Sequence, residues 1–216
     1  MAGSRKPRAS VLAAPSGLPR SAGAVHPPRA VHPSADLDTQ LMLHAAAGDP
    51  EAATSLVDRN RLRIAGYIAR LVRDRRVVED LTQDVFLLAL KNADQFRPTA
   101  KVSTWLYQIA TNTTLNYLKQ RSARGKTPPL PTGTYELPDR RECEPEQQVS
   151  QDELRDQVSA ALHLLPLNQR IALTLYEYEA CSYVQISAVL DTTVESGRSL
   201  RRRARLVLRH ELHGLG

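Results

Sequence analysis

A chain of 216 residues is long enough for two small domains or one large one, and its 42% apolar content supports packed cores although aromatic residues make up only 5%. The formal charge of +6 suggests an acidic partner, yet residues 1–35 carry five basic groups and no acid, leaving the remainder with 24 basic and 23 acidic groups. Two distant cysteines and six histidines without paired spacing argue against a metal site, and no apolar run approaches membrane-spanning length.

Residues 1–35, rich in Pro, Ala, Ser and Arg without a period, read as a disordered basic tail. The run Val11–Ala14 is cut by Pro15 and is too short for a secretion signal, so a cytoplasmic, reducing environment is expected. Order is expected to begin near Asp36 or Asp38. Leu41, Met42, Leu43 and the alanines to Ala47 fit a short helix ended by Gly48. Asp49-Pro50 then reads as an N-cap followed by proline at the first helical position, and Leu56, Val57, Ile64, Ile68 and Leu71 continue a second helix.

A third helix is predicted from about Val77 to Lys91, with Val78, Leu81, Val85 and Leu88 as its core stripe. After a loop marked by Asp94, Arg97 and Pro98, Ser103 or Thr104 caps a fourth helix to about Arg121, buried through Leu106, Ile109, Ala110, Thr113 and Tyr117. Residues 123–145, proline-rich and aperiodic, read as a flexible linker. The second folded unit spans 146–216. A helix through Val149 to Leu165 stops before Pro166, and the next carries Ile171, Leu173, Leu175 and Tyr176. Ser182-Tyr-Val-Gln185 and Thr192-Thr-Val-Glu195 are two capping boxes ten residues apart, joined by a turn around Asp191. Two short helices, the second strongly basic, describe a helix-turn-helix. The expected fold class is all-α, with two small helical domains, residues 36–122 and 146–216.

The fourth helix carries the most chemistry. From Gln95 to Tyr135 there are six basic residues and no acid, and Gln108, Asn112, Asn116 and Lys119 recur along one face. An ordinary solvated helix mixes Glu and Lys. Amides with a cation donate to and accept from base edges and approach phosphates. Phe96, Trp105 and Tyr107 are placed to stack on unpaired bases, though Trp105 reads equally well as core. On the third helix, Asp80, Gln83, Asp84 and Leu87 share a surface with Phe86 adjacent. Such a strip repels phosphate and suits a protein partner with arginines and an apolar groove, or is simply a solvated face with acids near a helix N-terminus.

Glu79-Asp-Leu-Thr-Gln-Asp-Val-Phe86, Phe96-Arg-Pro98 and Ser103-Thr-Trp-Leu-Tyr-Gln-Ile-Ala-Thr-Asn112 closely resemble region 2 of extracytoplasmic-function sigma factors. Leu165-Pro-Leu-Asn-Gln-Arg170, Ser182-Tyr-Val-Gln-Ile186 and Arg203-Ala-Arg205 resemble their region 4, and the likeness covers residues 38–212. The resemblance implies a subunit that brings bacterial RNA polymerase to promoters. Asp80, Leu81, Gln83, Asp84, Phe86 and Leu87 would grip the clamp of the largest polymerase subunit, with the flap of the second largest as a further partner. Phe96, Arg97, Lys101, Ser103, Thr104, Trp105, Gln108, Asn112, Asn116 and Lys119 would open and read minus-ten DNA. Ser182, Thr193, Glu195, Ser196, Arg198, Ser199, Arg201, Arg202 and Arg205 would read minus-thirty-five DNA. An anti-sigma factor is an implied partner; no cofactor, metal, catalytic residue or membrane insertion is implied.

Gly197 stands where the family commonly has a β-branched residue, and Leu200-Arg201 where it has Arg-Leu, so the characters are exchanged. Leu200, Ala204, Val207 and Leu208 still form an apolar stripe, with Arg198, Arg202, Arg205 and Arg209 opposite. Two other readings are a sigma mimic that occupies an anti-sigma factor, motivated by this altered helix, and a plain helix-turn-helix regulator. An enzyme is the weakest reading, since no nucleophile–base pair or phosphate loop stands out.

Overall fold

A computed structural model describes residues 34–123 and 156–212. Those residues are helical apart from short turns: α1 (Ser34–Ala46), α2 (Pro50–Leu71), α3 (Arg75–Lys91), α4 (Val102–Ala123), α5 (156–164), α6 (Leu167–Glu177), α7 (Tyr183–Leu190) and α8 (Val194–Leu212). One 3-10 turn, Ala93–Gln95, joins α3 to the loop before α4. Helix α1 begins at Ser34, slightly earlier than the expected start of order. The rest of the expected tail, nearly all of the linker and the first residues of the second unit lie outside the described residues.

Local chemistry accounts for the helix starts. The Asp49 carboxylate accepts from the backbone N–H groups of Glu51 and Ala52 at 2.9 and 3.1 Å, with Pro50 at the first helical position. Asp74 caps α3 by accepting from Arg76 N–H at 3.1 Å, so that helix begins two residues before the expected Val77. Helix α4 starts at Val102, and the Lys101 carbonyl already accepts the Trp105 N–H at 3.2 Å. Ser103 and Thr104 therefore lie inside the first turn rather than at the cap. Gly48, at φ 93°, closes α1 in a conformation that side chains rarely adopt.

Helix α1 packs on α2 and α4, and α2, α3 and α4 pack on one another. Their shared core holds Met42, Leu56, Ile64, Ile68, Val78, Val85 and Leu106. On α3 the buried residues are Val78, Leu81, Thr82, Val85, Phe86 and Ala89, whereas Leu88 is 40% exposed. At roughly 100° per residue, Phe86 and Leu88 flank this stripe by about 80° on opposite sides, so pattern alone does not choose between them. On α4 the buried arc runs through Val102, Leu106, Tyr107, Ala110, Thr111 and Thr114, while Ile109 and Tyr117 only pack against its margin. The arc is rotated from the expected one because α4 touches α2 and α7 as well as α3.

Helices α6, α7 and α8 pack mutually, with Leu162, Leu165, Leu173 and Ala204 forming a second small core. The main core does not stop at α4. It continues through Ile171, Leu175, Cys181, Ile186 and Val189, so among the described residues the two helical groups share one apolar interior.

Beside the second core, His163 Nδ1–H donates to the Ser159 carbonyl at 2.8 Å, and its Nε2 is buried without a hydrogen-bond partner. Burial, with Arg170 and Arg73 nearby, pulls its pKa from 6.5 to about 4. Between those two values the unfolded chain holds the extra proton, so stability falls as pH drops through that window. The thermal midpoint of the wild-type chain, followed by circular dichroism from pH 7 to about 4.5, should therefore fall further than that of His163→Gln; equal falls would refute the assignment.

Candidate promoter and polymerase surfaces

Three surfaces emerge from these helices. On α3, Glu79, Asp80, Gln83 and Asp84 are exposed, and Leu87 beside them is 58% exposed. Together they make a carboxylate ridge with an apolar end that Leu88 extends. Leu81 and Phe86, each 5% exposed, face the core instead. They hold the ridge in place and cannot themselves contact a partner without unpacking α3.

On α4, Asn112, Asn116 and Lys119 are exposed and Gln108 is half-buried, so the amide-and-cation row lies on the surface. No acidic side chain occurs anywhere in this helix. The loop before it exposes Arg97 and Lys101, and Arg97 Nη1 donates to the Asp94 carbonyl at 3.0 Å. Phe96 is 4% exposed and packs on Trp105, ring centroids 5.6 Å apart, with Trp105 partly buried. Phe96 is thus the anchor of the loop, and of this pair only Trp105 presents an edge to solvent. Tyr107, at 1% exposure, is core, and so is Thr104, whose hydroxyl accepts from Gln185 Nε2 at 2.8 Å. Ser103 is half-buried.

The third surface belongs to α7 and α8. Ser182 caps α7 through the expected capping box, accepting from Gln185 N–H while its own N–H donates to Gln185 Oε1. Asp191, left-handed at φ 49°, makes the tight turn. Thr193, not Thr192, caps α8: its hydroxyl accepts from Ser196 N–H at 3.1 Å, so Glu195 has no capping role and is exposed. Arg198, Arg202, Arg205 and Arg209 are exposed, while Ser196 and Ser199 are half-buried. A helix-turn-helix with an arginine-studded second helix presents many charges to a phosphate backbone.

Residues 56–124 match Sigma-70 region 2, and residues 155–208 match Sigma-70, region 4. The chain is 35% identical over 176 residues to the RNA polymerase sigma-H factor of Pseudomonas aeruginosa, covering 78% of this chain and 90% of that one. It belongs to the sigma-70 family, in the extracytoplasmic-function group. The ECF RNA polymerase sigma-E factor of Escherichia coli strain K12 is 32% identical over 186 residues, covering 82% of this chain and 95% of that protein. Two solved complexes share the fold. CnrH with the cytosolic domain of CnrY aligns at TM-score 0.62 and 24% identity, over 83% of this chain and 99% of that one. The sigma factor RpoE with the anti-sigma factor NepR, from Bartonella quintana, aligns at TM-score 0.61 and 20% identity, over 74% of this chain and 96% of that one.

In region 4 of this sigma factor, the exchanged Leu200-Arg201 pair has a structural use. Arg201 donates from Nε and Nη2 to Glu177 Oε1 at 3.1 and 2.7 Å and from Nη1 to the Tyr183 hydroxyl at 3.0 Å. Its guanidinium lies 3.8 Å over the Tyr176 ring, and its side chain is only 17% exposed. Arg201 is therefore spent on holding α8 against α6 and α7, unlike its neighbour Arg202. Arg198 lies 5.3 Å over the Tyr183 ring, which stacks on Tyr176, so the tyrosines support both arginines. Glu177, Tyr176 and Tyr183 were not among the candidates; their partners sit across a turn, and no spacing in the sequence marks them.

Gly197 is buried where α8 crosses α7. A Cβ there would meet Ile186 Cγ2 at 3.5 Å, an ordinary contact, whereas a branched side chain would push into Ile186 and the Tyr183 carbonyl. Glycine costs about 1 kcal/mol relative to alanine inside a helix. Gly197→Ala should then match or exceed wild-type stability in denaturant unfolding, while Gly197→Ile lowers it. A stability loss of more than about 1 kcal/mol in the alanine variant would show that the approach of the two helices is closer than described.

Proposed function

We propose that this sigma factor works by dividing three tasks among the three surfaces. The α3 ridge of Asp80, Gln83, Asp84 and Leu87 docks on the polymerase core, at basic and apolar groups of the clamp. The α4 row of Gln108, Asn112, Asn116 and Lys119, with Arg97, Lys101 and the edge of Trp105, engages minus-ten DNA. Helix α8 lies in the major groove of the minus-thirty-five element, and Glu195, Ser196, Arg198, Ser199, Arg202 and Arg205 face the DNA. The observation that carries this reading is the contrast between two exposed faces, Asp80, Gln83, Asp84 and Leu87 on α3 against amides and cations without any acid on α4.

The work is done by binding energy. Unpairing and extruding a base costs a few kcal/mol, which contacts to the separated strand offset. No bond is made or broken, so the protein acts as an initiation factor and not as an enzyme, in the cytoplasm where polymerase and promoter are found. Among the described residues no helix is long and apolar enough to cross a membrane. The RpoE neighbour is held by an anti-sigma factor; a partner of that kind, masking one or more of the three surfaces, is the expected regulator here.

Reconstituted polymerase should initiate at a defined promoter only when this chain is added. Asp84→Arg should abolish capture of core polymerase in a pull-down while leaving thermal unfolding unchanged, because Asp84 is exposed and its carboxylate supports nothing inside. If core binding survives that change, the docking role is wrong and a sigma mimic becomes the better reading. Asn112→Asp should reduce open-complex formation at least tenfold by placing an anion against the DNA, with core binding retained; an unchanged footprint would remove α4 from the minus-ten contact.

A further inference from the structure

Tyr183, on the first helix of the helix-turn-helix, is shared by two arginines of the second. Its hydroxyl accepts from Arg201 Nη1 at 3.0 Å, and its ring lies beneath the guanidinium of Arg198, 5.3 Å from the centroid. The ring is itself fixed from behind. It stacks on Tyr176 of α6, with centroids 4.9 Å and planes 28° apart, and the Tyr176 ring carries Arg201 at 3.8 Å. Glu177 closes the assembly by accepting from Arg201 Nε and Nη2 at 3.1 and 2.7 Å.

The two arginines are left in opposite chemical states. Arg201 uses its face on Tyr176 and its N–H edge on Glu177 and the Tyr183 hydroxyl. Arg198 has only the ring contact; among the described residues it makes no hydrogen bond or ion pair, and it is exposed. A ring attracts the cation without consuming a donor, so the forked N–H edge that matches O6 and N7 of guanine stays available. The ring also narrows the rotamers of a side chain that otherwise loses much of its freedom on binding.

Exposed Arg202, Arg205 and Arg209 have no such support: among the described residues no aromatic ring or carboxylate holds them. Position on the helix separates them further. Arg198 stands near the start of α8, and the N-terminal residues of a recognition helix are those that reach base edges. The other three sit about 6, 10 and 16 Å further along the axis at 1.5 Å per residue, toward the end where such helices meet the phosphates. The exchanged pair explains why this chain can do it. Leu200 packs against the main core, and arginine at 201 is thereby turned to α6 and α7, where it pins the Tyr183 hydroxyl.

We propose that Tyr183 is a positioning residue for base recognition: it holds Arg198 with its donors toward a guanine of the minus-thirty-five element, and Tyr176, Arg201 and Glu177 keep Tyr183 in place. This role rests on the reading of α8 as the minus-thirty-five helix. One base pair of that element is then selected through a side chain that lies behind the reading face.

Holoenzyme assembled from core polymerase and the full chain, presented with promoter duplexes randomised across the minus-thirty-five element, gives the base preference at each position. Arg198→Ala should erase a guanine preference of roughly tenfold at one position. Tyr183→Leu, which keeps an apolar contact with α6, should erase most of that same preference and leave other positions unchanged. The double variant should lose nothing more there. Tyr183→Phe keeps the ring and should retain the preference, while Arg202→Ala should weaken binding evenly across the duplexes. An Arg198→Ala profile identical to wild type overturns the proposal. So do equal losses at every position in Tyr183→Leu, or loss of the preference in Tyr183→Phe or Arg202→Ala. Should Tyr183→Leu lose its helical circular dichroism, Arg201→Met decides in its place: it should lower the same preference and no other, and an unchanged profile refutes the support. A wild-type holoenzyme without any minus-thirty-five preference sinks the reading of α8 instead. The NMR order of the Arg198 side chain in the free protein then still judges the support: it should drop in Tyr183→Leu and not in Tyr183→Phe, and unchanged order in the leucine variant removes it.

Discussion

Tyr67 and Tyr107 meet edge to face in the seam between α2 and α4, centroids 5.2 Å apart, and the Tyr67 hydroxyl shares a hydrogen bond of 2.6 Å with Thr111. Both rings are almost wholly buried. Deprotonating either one there is strongly disfavoured by burial. This pairing sets the rotation of α4 about its own axis. With Tyr107 and Thr111 turned inward, Gln108, Asn112, Asn116 and Lys119 must point outward, because the helix period allows nothing else. The amide-and-cation row of α4 is thus positioned from beneath by two buried tyrosines.

The same logic recurs in region 4. Arg201 binds Glu177 and two tyrosines, and that internal use of one arginine orients the exposed ones on α8. Arg170 does comparable work between the regions: Nη1 serves the end of α2, while Nη2 serves the carbonyls of His163 and Leu165. Burial lowers its pKa to about 10, which still leaves it charged at neutral pH. Three carbonyls at two helix ends are satisfied by one cation, a use for which carbonyl dipoles at helix C-termini are well suited. Arginine functions here as cement in one place and as an exposed surface charge in another, and only its surroundings tell which.

Similarity to bacterial sigma factors establishes the family of the chain, and the structure adds how its surfaces are supported. The Asp80–Asp84 face of α3 and the acid-free face of α4 are both open to solvent. Regions 2 and 4 also meet along a seam bridged by Glu179, Arg170 and Gln185.

Sequence by itself determined the helix starts that rest on local chemistry, namely Asp49-Pro50 and the Ser182-Gln185 box, together with the charge segregation and the motifs of both regions. Those features depend on residues within one or two turns of each other, so spacing reports them directly. Tertiary structure alone decided that Leu81, Phe86, Phe96, Thr104 and Tyr107 are inside and that Arg201 is held by Glu177. The partners that decide burial lie far along the chain: Thr104 meets Gln185, Tyr107 meets Glu179, and Arg170 meets Leu71. An aromatic or an arginine has the same pattern whether it is used inward or outward. Which use prevails is settled by the groups that arrive to pair with it, and folding alone brings them there.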